Sequence, residues 1–153
     1  MLEPIQFEKV KCIVELGPGT GIITHELLAM MPKDSTLLVF EINEEFCEIL
    51  REMKDPRMKV ISDSAENLEL YLKQHRIESV DYIVSSIPFA MIPNPIVKKI
   101  LDVVKKVLKP SGTFIQYQYS LNLYKRLKNL FGKVNVDFTP MNIPPAFVFV
   151  CKN

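Results

Sequence analysis

Apolar residues fall along this chain in short blocks of two kinds, and the kinds alternate. Cys12 to Leu16, Thr36 to Phe40, Met58 to Ser62 and Val80 to Ser85 are nearly unbroken apolar runs. Such runs suit strands buried on both faces. Between them the apolar positions spread to helical spacing. Ile23, Leu27 and Met31 share one face of a helix predicted from about Thr20 to Met31, which Pro32 ends. Phe46, Ile49, Leu50 and Met53 form the stripe of a second, with Asn43 as its cap and Glu44 and Glu45 in its first turn. A third helix is predicted from about Ala65 to His75. Asn94-Pro95 opens a fourth, cap followed by proline, with Val97, Ile100, Leu101, Val104 and Leu108 as its stripe. Pro110-Ser111-Gly112 stops it.

The pattern then changes. Thr113 to Tyr119 is a fifth strand, where Ile115, Tyr117 and Tyr119 alternate with Gln116 and Gln118, so that one side can face a cleft. Leu121 to Phe131 is a last helix, ended by Gly132, and Val134 to Phe138 and Ala146 to Cys151 are closing strands. Alternating strands and helices imply right-handed crossovers and a parallel sheet covered on both faces. Two late strands with no helix between them add one antiparallel member. The predicted fold class is α/β: a doubly wound, seven-stranded, mainly parallel sheet with one antiparallel strand, in one domain spanning residues 1–153. Met1 to Lys11 is weakly patterned.

The joint between the first strand and first helix organises the rest. It reads Ile13-Val14-Glu15-Leu16-Gly17-Pro18-Gly19-Thr20-Gly21. Glycines at alternate positions permit a backbone with positive φ and close approach of a ligand. The helix start adds unpaired N–H groups and positive dipole character. The spacing is G-x-G-x-G with Glu15 two residues ahead, not the G-x-G-x-x-G of a dinucleotide fingerprint. Other chemically capable residues follow later strands. Glu41 follows the second, Asp63 with Ser64 and Ala65 the third, and Ser85-Ser86-Ile87-Pro88-Phe89 the fourth. In an open parallel sheet these strand ends border the ligand crevice. Each has a plainer reading: a tight turn for the glycines, a solvated acid for Glu41, a helix cap for Asp63, a core aromatic for Phe89.

The glycine loop, read as E-x-G-x-G-x-G, resembles the first motif of class I S-adenosylmethionine-dependent methyltransferases, and the order of elements resembles their core over nearly the whole chain. That resemblance implies S-adenosyl-L-methionine as cofactor. Glu15, Gly17, Pro18, Gly19, Thr20 and Gly21 would border it, and Glu41 would accept its ribose hydroxyls. Asp63 would meet the adenine amine, a backbone N–H near Ser64 would read the ring, Ile42 and Ala65 would flank it, and Ser85 would close the fourth-strand side. The Ser86-Ile87-Pro88-Phe89 loop is similar to the N/D/S-P-P-Y/F loops of amine-directed methyltransferases and to N-L-P-Y of ribosomal adenine dimethylases. Ser86 stands where Asn or Asp is usual. That version, with Gln116-Tyr117 and Pro144-Pro145-Ala146-Phe147-Val148, resembles bacterial phospholipid N-methyltransferases. Ser86, Pro88 and Phe89 are then the expected catalytic set: acceptor, rigid corner and aromatic wall. The implied reaction is in-line displacement by a neutral amine.

Composition narrows the partners. Net charge is +1, so no global field selects nucleic acid or an anionic membrane. Lys98, Lys99, Lys105, Lys106 and Lys109 share the fourth helix; Lys125, Arg126, Lys128 and Lys133 lie on or near the last. The second group, beside Leu123, Leu127 and Leu130, could rest on lipid headgroups or track RNA, or be a solvated helix face. Cys12, Cys47 and Cys151 lie in apolar segments and read as buried thiols of a cytoplasmic protein, with a peripheral place at the membrane surface open to it. His25 and His75 read as surface residues, and no metal set is expected. Relatives by motif usually carry a longer N-terminal cover, so Met1 to Lys11 is expected to be a reduced cap. Three functions stay open: a phospholipid amine methyltransferase, an RNA adenine methyltransferase, and a cofactor-holding module that is non-catalytic or completed by a partner.

Overall fold

A computed structural model describes residues 1–141 and 144–153. Seven strands form one sheet in the order β3-β2-β1-β4-β5-β7-β6. They are β1 (Cys12–Leu16), β2 (Thr36–Phe40), β3 (Met58–Ile61), β4 (Val80–Ser85), β5 (Leu108–Gln118), β6 (Lys133–Thr139) and β7 (Ala146–Lys152). The pairs from β3 to β5 are parallel, and β7 runs antiparallel to both β5 and β6. The expected α/β sheet with one reversed strand is therefore what forms. The chain order switches direction between β1 and β4, which places a crevice above their carboxyl ends.

Five helices cover the sheet: α1 (Ile22–Met30), α2 (Glu44–Arg51), α3 (Leu68–Gln74), α4 (Asn94–Val107) and α5 (Tyr124–Leu130). Strand residues alternate between two cores. Cys12, Val14, Leu16, Ile83 and Phe114 face α3, α4 and α5. Ile13, Leu37, Val39, Val84 and Ile115 face α1, α2 and the N-terminal segment. That segment is better anchored than its pattern suggested. Leu2, Ile5 and Val10 are buried on the second face, and Gln6 donates its N–H to the Tyr82 hydroxyl at 3.2 Å. Arg57 braces the same side. Its guanidinium pairs with Asp55 at 2.6 Å and donates to the Leu28 and Met31 carbonyls at 2.7 and 2.6 Å, closing the carboxyl end of α1.

Local corrections have local causes. In α2 the buried positions are Cys47 and Leu50, while Ile49 is 43% exposed. Cys47 fits because its thiol reaches the Glu41 carbonyl at 3.3 Å. Asn94 is the first helical residue of α4 and makes no capping bond; Pro93 precedes it with φ −55°. The expected turn at Pro110 to Gly112 is instead an irregular stretch of β5, bulged opposite Val80 and Tyr82. The Asn43 cap holds, its side chain accepting from Glu45 N–H at 3.0 Å.

Candidate functional site

The carboxyl ends of β1, β2 and β4 are tied together by main-chain bonds. Gly17 N–H donates to the Phe40 carbonyl and Ser86 N–H to the Leu16 carbonyl, each at 2.9 Å. The glycine loop and the Ser86 loop therefore share one floor. Gly17 (φ 68°) lies so close to the second loop that a Cβ would meet Ile87 Cγ1 at 2.9 Å. Gly21 (φ 87°) precedes α1, where a Cβ would meet Met53 Cε at 2.5 Å and Leu50 Cδ2 at 2.8 Å. Both contact and conformation demand glycine there. Gly19 (φ 57°) faces open space, so its backbone is approachable. Pro18 closes the turn, its carbonyl accepting from Gly21 N–H at 3.1 Å, and Thr20 is exposed beside it.

Two acids meet this loop from different sides. Glu41, 8% exposed, accepts from Gly19 N–H at 3.1 Å and from Asn43 N–H at 2.9 Å. The loop after β2 is thus drawn onto the glycine loop through one carboxylate. Glu15 lies behind the loop, 2% exposed, with Oε2 accepting from the Thr24 hydroxyl at 2.7 Å. Its Oε1 has no partner among the described residues. Burial pushes the Glu15 carboxyl up to about 7, against the opposing pull of the Thr24 hydrogen bond.

Asp63 is held by a small network. Tyr71 donates its hydroxyl to Oδ2 at 2.8 Å, while Ser64 N–H and the Asn67 amide donate to Oδ1 at 2.6 and 3.0 Å. The Tyr71 bond, then those from Asn67 and Ser64, hold its carboxyl below the ordinary range. Ser64, not Asp63, caps the turn that follows, accepting from Glu66 N–H at 3.3 Å. Ala65 is buried next to it, and Ile42 is 79% exposed at the end of β2.

The loop after β4 is pinned through one atom. The Ile87 carbonyl accepts from Gln116 Nε2 at 3.0 Å, Gln118 Nε2 at 2.8 Å and Phe89 N–H at 2.9 Å. Ile87 N–H in turn donates to the buried Ser85 hydroxyl at 3.3 Å, so Ser85 braces the loop from beneath. The Pro88 carbonyl accepts from Met91 N–H at 2.9 Å. The carbonyl and hydroxyl oxygens of half-buried Ser86 have no partner among the described residues. Phe89 is 4% exposed and packs into the core with α4 and α5, so its ring offers little free surface at the strand ends. It also lines a cleft of about 750 Å³ between α4 and α5, larger than the roughly 430 Å³ hollow beside Gly21 and Met53.

The sequence places Gln116 and Gln118 in a strand with one side open to a cleft but assigns them no partner. Their signal was there: two amides at i and i+2 in an otherwise apolar strand need partners when buried. Tyr71 carried no comparable signal, because its reach to Asp63 depends on the 3-10 turn at Ala65–Asn67. His25 and His75 are exposed and all three cysteines are buried, as expected.

The sequence profile of the ribosomal RNA adenine dimethylase family matches residues 1–134. The chain belongs to that family. It is a class I S-adenosylmethionine-dependent methyltransferase. An ornithine lipid N-methyltransferase of Singulisphaera acidiphila is 34% identical over 151 residues, covering 97% of this chain and 79% of the relative. A ribosomal RNA small subunit methyltransferase A of Nostoc punctiforme is 29% identical over 101 residues, covering 63% of this chain but only 34% of the relative. Human methyltransferase-like protein 13, solved in complex with SAH, superimposes with a TM-score of 0.71 at 19% identity, over 99% of this chain and 76% of that one. The site fits the family's cofactor on its own terms. An approachable Gly19 backbone and an orphaned buried Glu15 oxygen stand where a ligand carrying a cationic amino group would find a partner. None of the helices among the described residues is long and apolar enough to cross a membrane.

Proposed function

We propose that this methyltransferase N-methylates the primary amine of a lipid headgroup. The observation that carries the reading is Ser86. In place of an Asn or Asp side chain, the loop offers the Ser86 hydroxyl and the Ser86 carbonyl, neither with a partner among the described residues. The Ile87 carbonyl already accepts three donors and the Pro88 carbonyl one, so the two Ser86 oxygens are the least engaged acceptors of the loop for orienting an amine. The similarity to an ornithine lipid N-methyltransferase over 97% of the chain supports the same reading.

S-adenosylmethionine, when bound, supplies an electrophilic sulfonium methyl group. The protein's share is alignment and electrostatics. Gly17 to Gly21 would cradle the cofactor through their backbone. Glu41, now bonded to Gly19 N–H, would hold the ribose hydroxyls, and Glu15 Oε1 would match a cationic amino group. Asp63 would take the adenine amine, its carboxylate held in place by Tyr71. Because Ser64 N–H is engaged by Asp63, the Ala65 N–H is the one free to read the ring, with Ile42 beside it. Ser85, Gln116 and Gln118 hold the Ser86-Ile87-Pro88 corner still. An alkyl amine has an ordinary pKa of about 10, so it must shed a proton before attack. The apolar surroundings formed by Ile87 and Pro88 favour its neutral form.

The test is product analysis by mass spectrometry after incubation with S-adenosylmethionine and vesicles carrying either phosphatidylethanolamine or an ornithine-headed lipid. The reading predicts headgroups heavier by one or more methyl groups, and no gain when the amine is acetylated beforehand. Methylated adenine in added ribosomal RNA, with unmodified lipids, would replace it with the reading that the family's description favours.

A further inference from the structure

We propose that the cleft between α4 and α5 binds one acyl chain of an anionic amphiphile, with the acidic group held by Lys125 and Arg126. This rests on the lipid reading above and gives that lipid a place to lie.

Three observations converge on the cleft. The first is its floor. Phe89, Ile92, Val97, Leu101, Leu123 and Leu130 line it, and they are all hydrocarbon. Its volume of about 750 Å³ lies within the roughly 300–1,000 Å³ typical of small-molecule sites. That apolar floor is the surface an acyl chain needs, while the amides of Asn94, Asn122 and Asn129 stand among the polar residues of the lining.

The second is the charge on its rim. The basic residues of α4 are engaged. Lys98 pairs with Asp102 at 2.5 Å, Lys99 with Glu66 at 3.6 Å and Lys106 with Glu69 at 2.8 Å. Lys109, expected on the same helix, lies instead in β5, because the helix ends at Val107, and it pairs with Asp81 at 2.6 Å. Lys105 reaches Asn153 at 2.5 Å and lies 5.1 Å over the Phe131 ring. Across the cleft, Lys125 and Arg126 on α5 have no acidic partner among the described residues. The cleft thus has one neutralised wall and one cationic wall, which complements a ligand with an anionic group at one side of an apolar body.

The third is what stands near its mouth. Met91 is 84% exposed, Leu121 51% and Tyr124 40%, on the segments that follow β4 and β5. Phe138, 55% exposed near the end of β6, and Met141, 92% exposed just beyond it, lie at the same end of the sheet. Apolar residues gathered around an open cleft mark an interaction surface. Phe89 and Ala90, which directly follow the Ser86-Ile87-Pro88 corner in the chain, line this cleft, so a chain lying on the floor lies next to the loop where the amine is needed.

The probe is cis-parinaric acid, a single chain with one carboxylate, titrated by its fluorescence into the full chain without cofactor. Saturable binding is expected, displaced by lysophosphatidylglycerol and not by inorganic phosphate at equal concentration. Lys125→Glu combined with Arg126→Glu should weaken it at least tenfold, and Ala90→Trp, on an exposed position of the lining, should weaken it by filling the mouth. Circular dichroism checks that both variants stay folded. Non-saturable binding, affinity unchanged in both variants, full displacement by phosphate, or displacement by a single-stranded RNA alone would each overturn the proposal. The two readings separate cleanly. Lipid methylation with an unaltered lipid KM in both variants removes the cleft and keeps the activity. Probe binding that the variants abolish, with no label entering lipid, keeps the cleft and removes the activity.

Discussion

The two halves of the sheet treat their polar groups differently. Around β1, β2 and β3, every acid proposed for the cofactor already has a partner: Glu41 two backbone N–H groups, Asp63 three donors, Glu15 the Thr24 hydroxyl. Around β4 and β5 the loop backbone is equally well fixed, but the groups facing outward are not. Among the described residues, the two Ser86 oxygens have no partner and Lys125 and Arg126 no acidic one, and Met91 and Leu121 stay exposed. The first half thus fixes the acids proposed for the cofactor. The second half leaves the proposed acceptor side open. Kinship to both a lipid methyltransferase and ribosomal RNA methyltransferases fits that division.

The comparison breaks first if the cofactor half is not what binds S-adenosylmethionine. Glu41→Ala removes a carboxylate proposed to make two charge-assisted hydrogen bonds, each contributing about 1.5–3 kcal/mol. Titration calorimetry should show affinity reduced by at least a hundredfold with the fold intact. An unchanged affinity would take Glu41 out of the site. Next in size is Phe89→Ala. The ring is 4% exposed in the core against α4 and α5, so truncation should cost about 3–5 kcal/mol of stability, read by denaturant unfolding. A cost below 1 kcal/mol would mean that the ring is free to serve as an exposed wall instead.

Smaller effects sharpen the contrast. Gln118→Leu deletes one of the amide bonds to the Ile87 carbonyl and should lower turnover about tenfold while leaving cofactor affinity within twofold. An equal loss in both would merge the two halves. The pH dependence of Glu15 is a further check. Its folded pKa is raised from 4.5 to about 7, so the folded state holds the extra proton, and stability falls as pH rises through that window and levels above it. The fall is up to about 3 kcal/mol, and Glu15→Gln should flatten it. A wild-type curve already flat between those limits would place Glu15 in contact with water.

Much of this was legible in the sequence, and what was not has identifiable causes. The strands read clearly because both faces of a parallel sheet are buried, which writes unbroken apolar runs at Ile13 and Leu37 alike. The glycine loop read clearly because Gly17 and Gly21 are held by contacts that leave no room for a Cβ. Helix details read less well. Ile49 looked like core by spacing, yet a two-turn helix tilts freely, and Cys47 took the buried place through its bond to the Glu41 carbonyl. The partners of long-range polar bonds left no local trace, even where, as at Gln116 and Gln118, the need for a partner did. The reach of Gln116 and Gln118 to Ile87 spans about thirty residues, and the pairing of α4 lysines with Glu66 and Glu69, like that of Lys109 in β5 with Asp81, emerges only when these elements pack together. That pairing is also what isolates Lys125 and Arg126 as the unspoken charge of the acceptor half.

The most direct measurement is a competition in one vessel. Tritiated methyl S-adenosylmethionine is offered with phosphatidylethanolamine vesicles and total RNA together, and label is counted separately in the extracted lipid and the purified RNA. The account predicts label in the lipid, lost on prior acetylation of its amine. Label confined to RNA, with the vesicles unmodified, would contradict it.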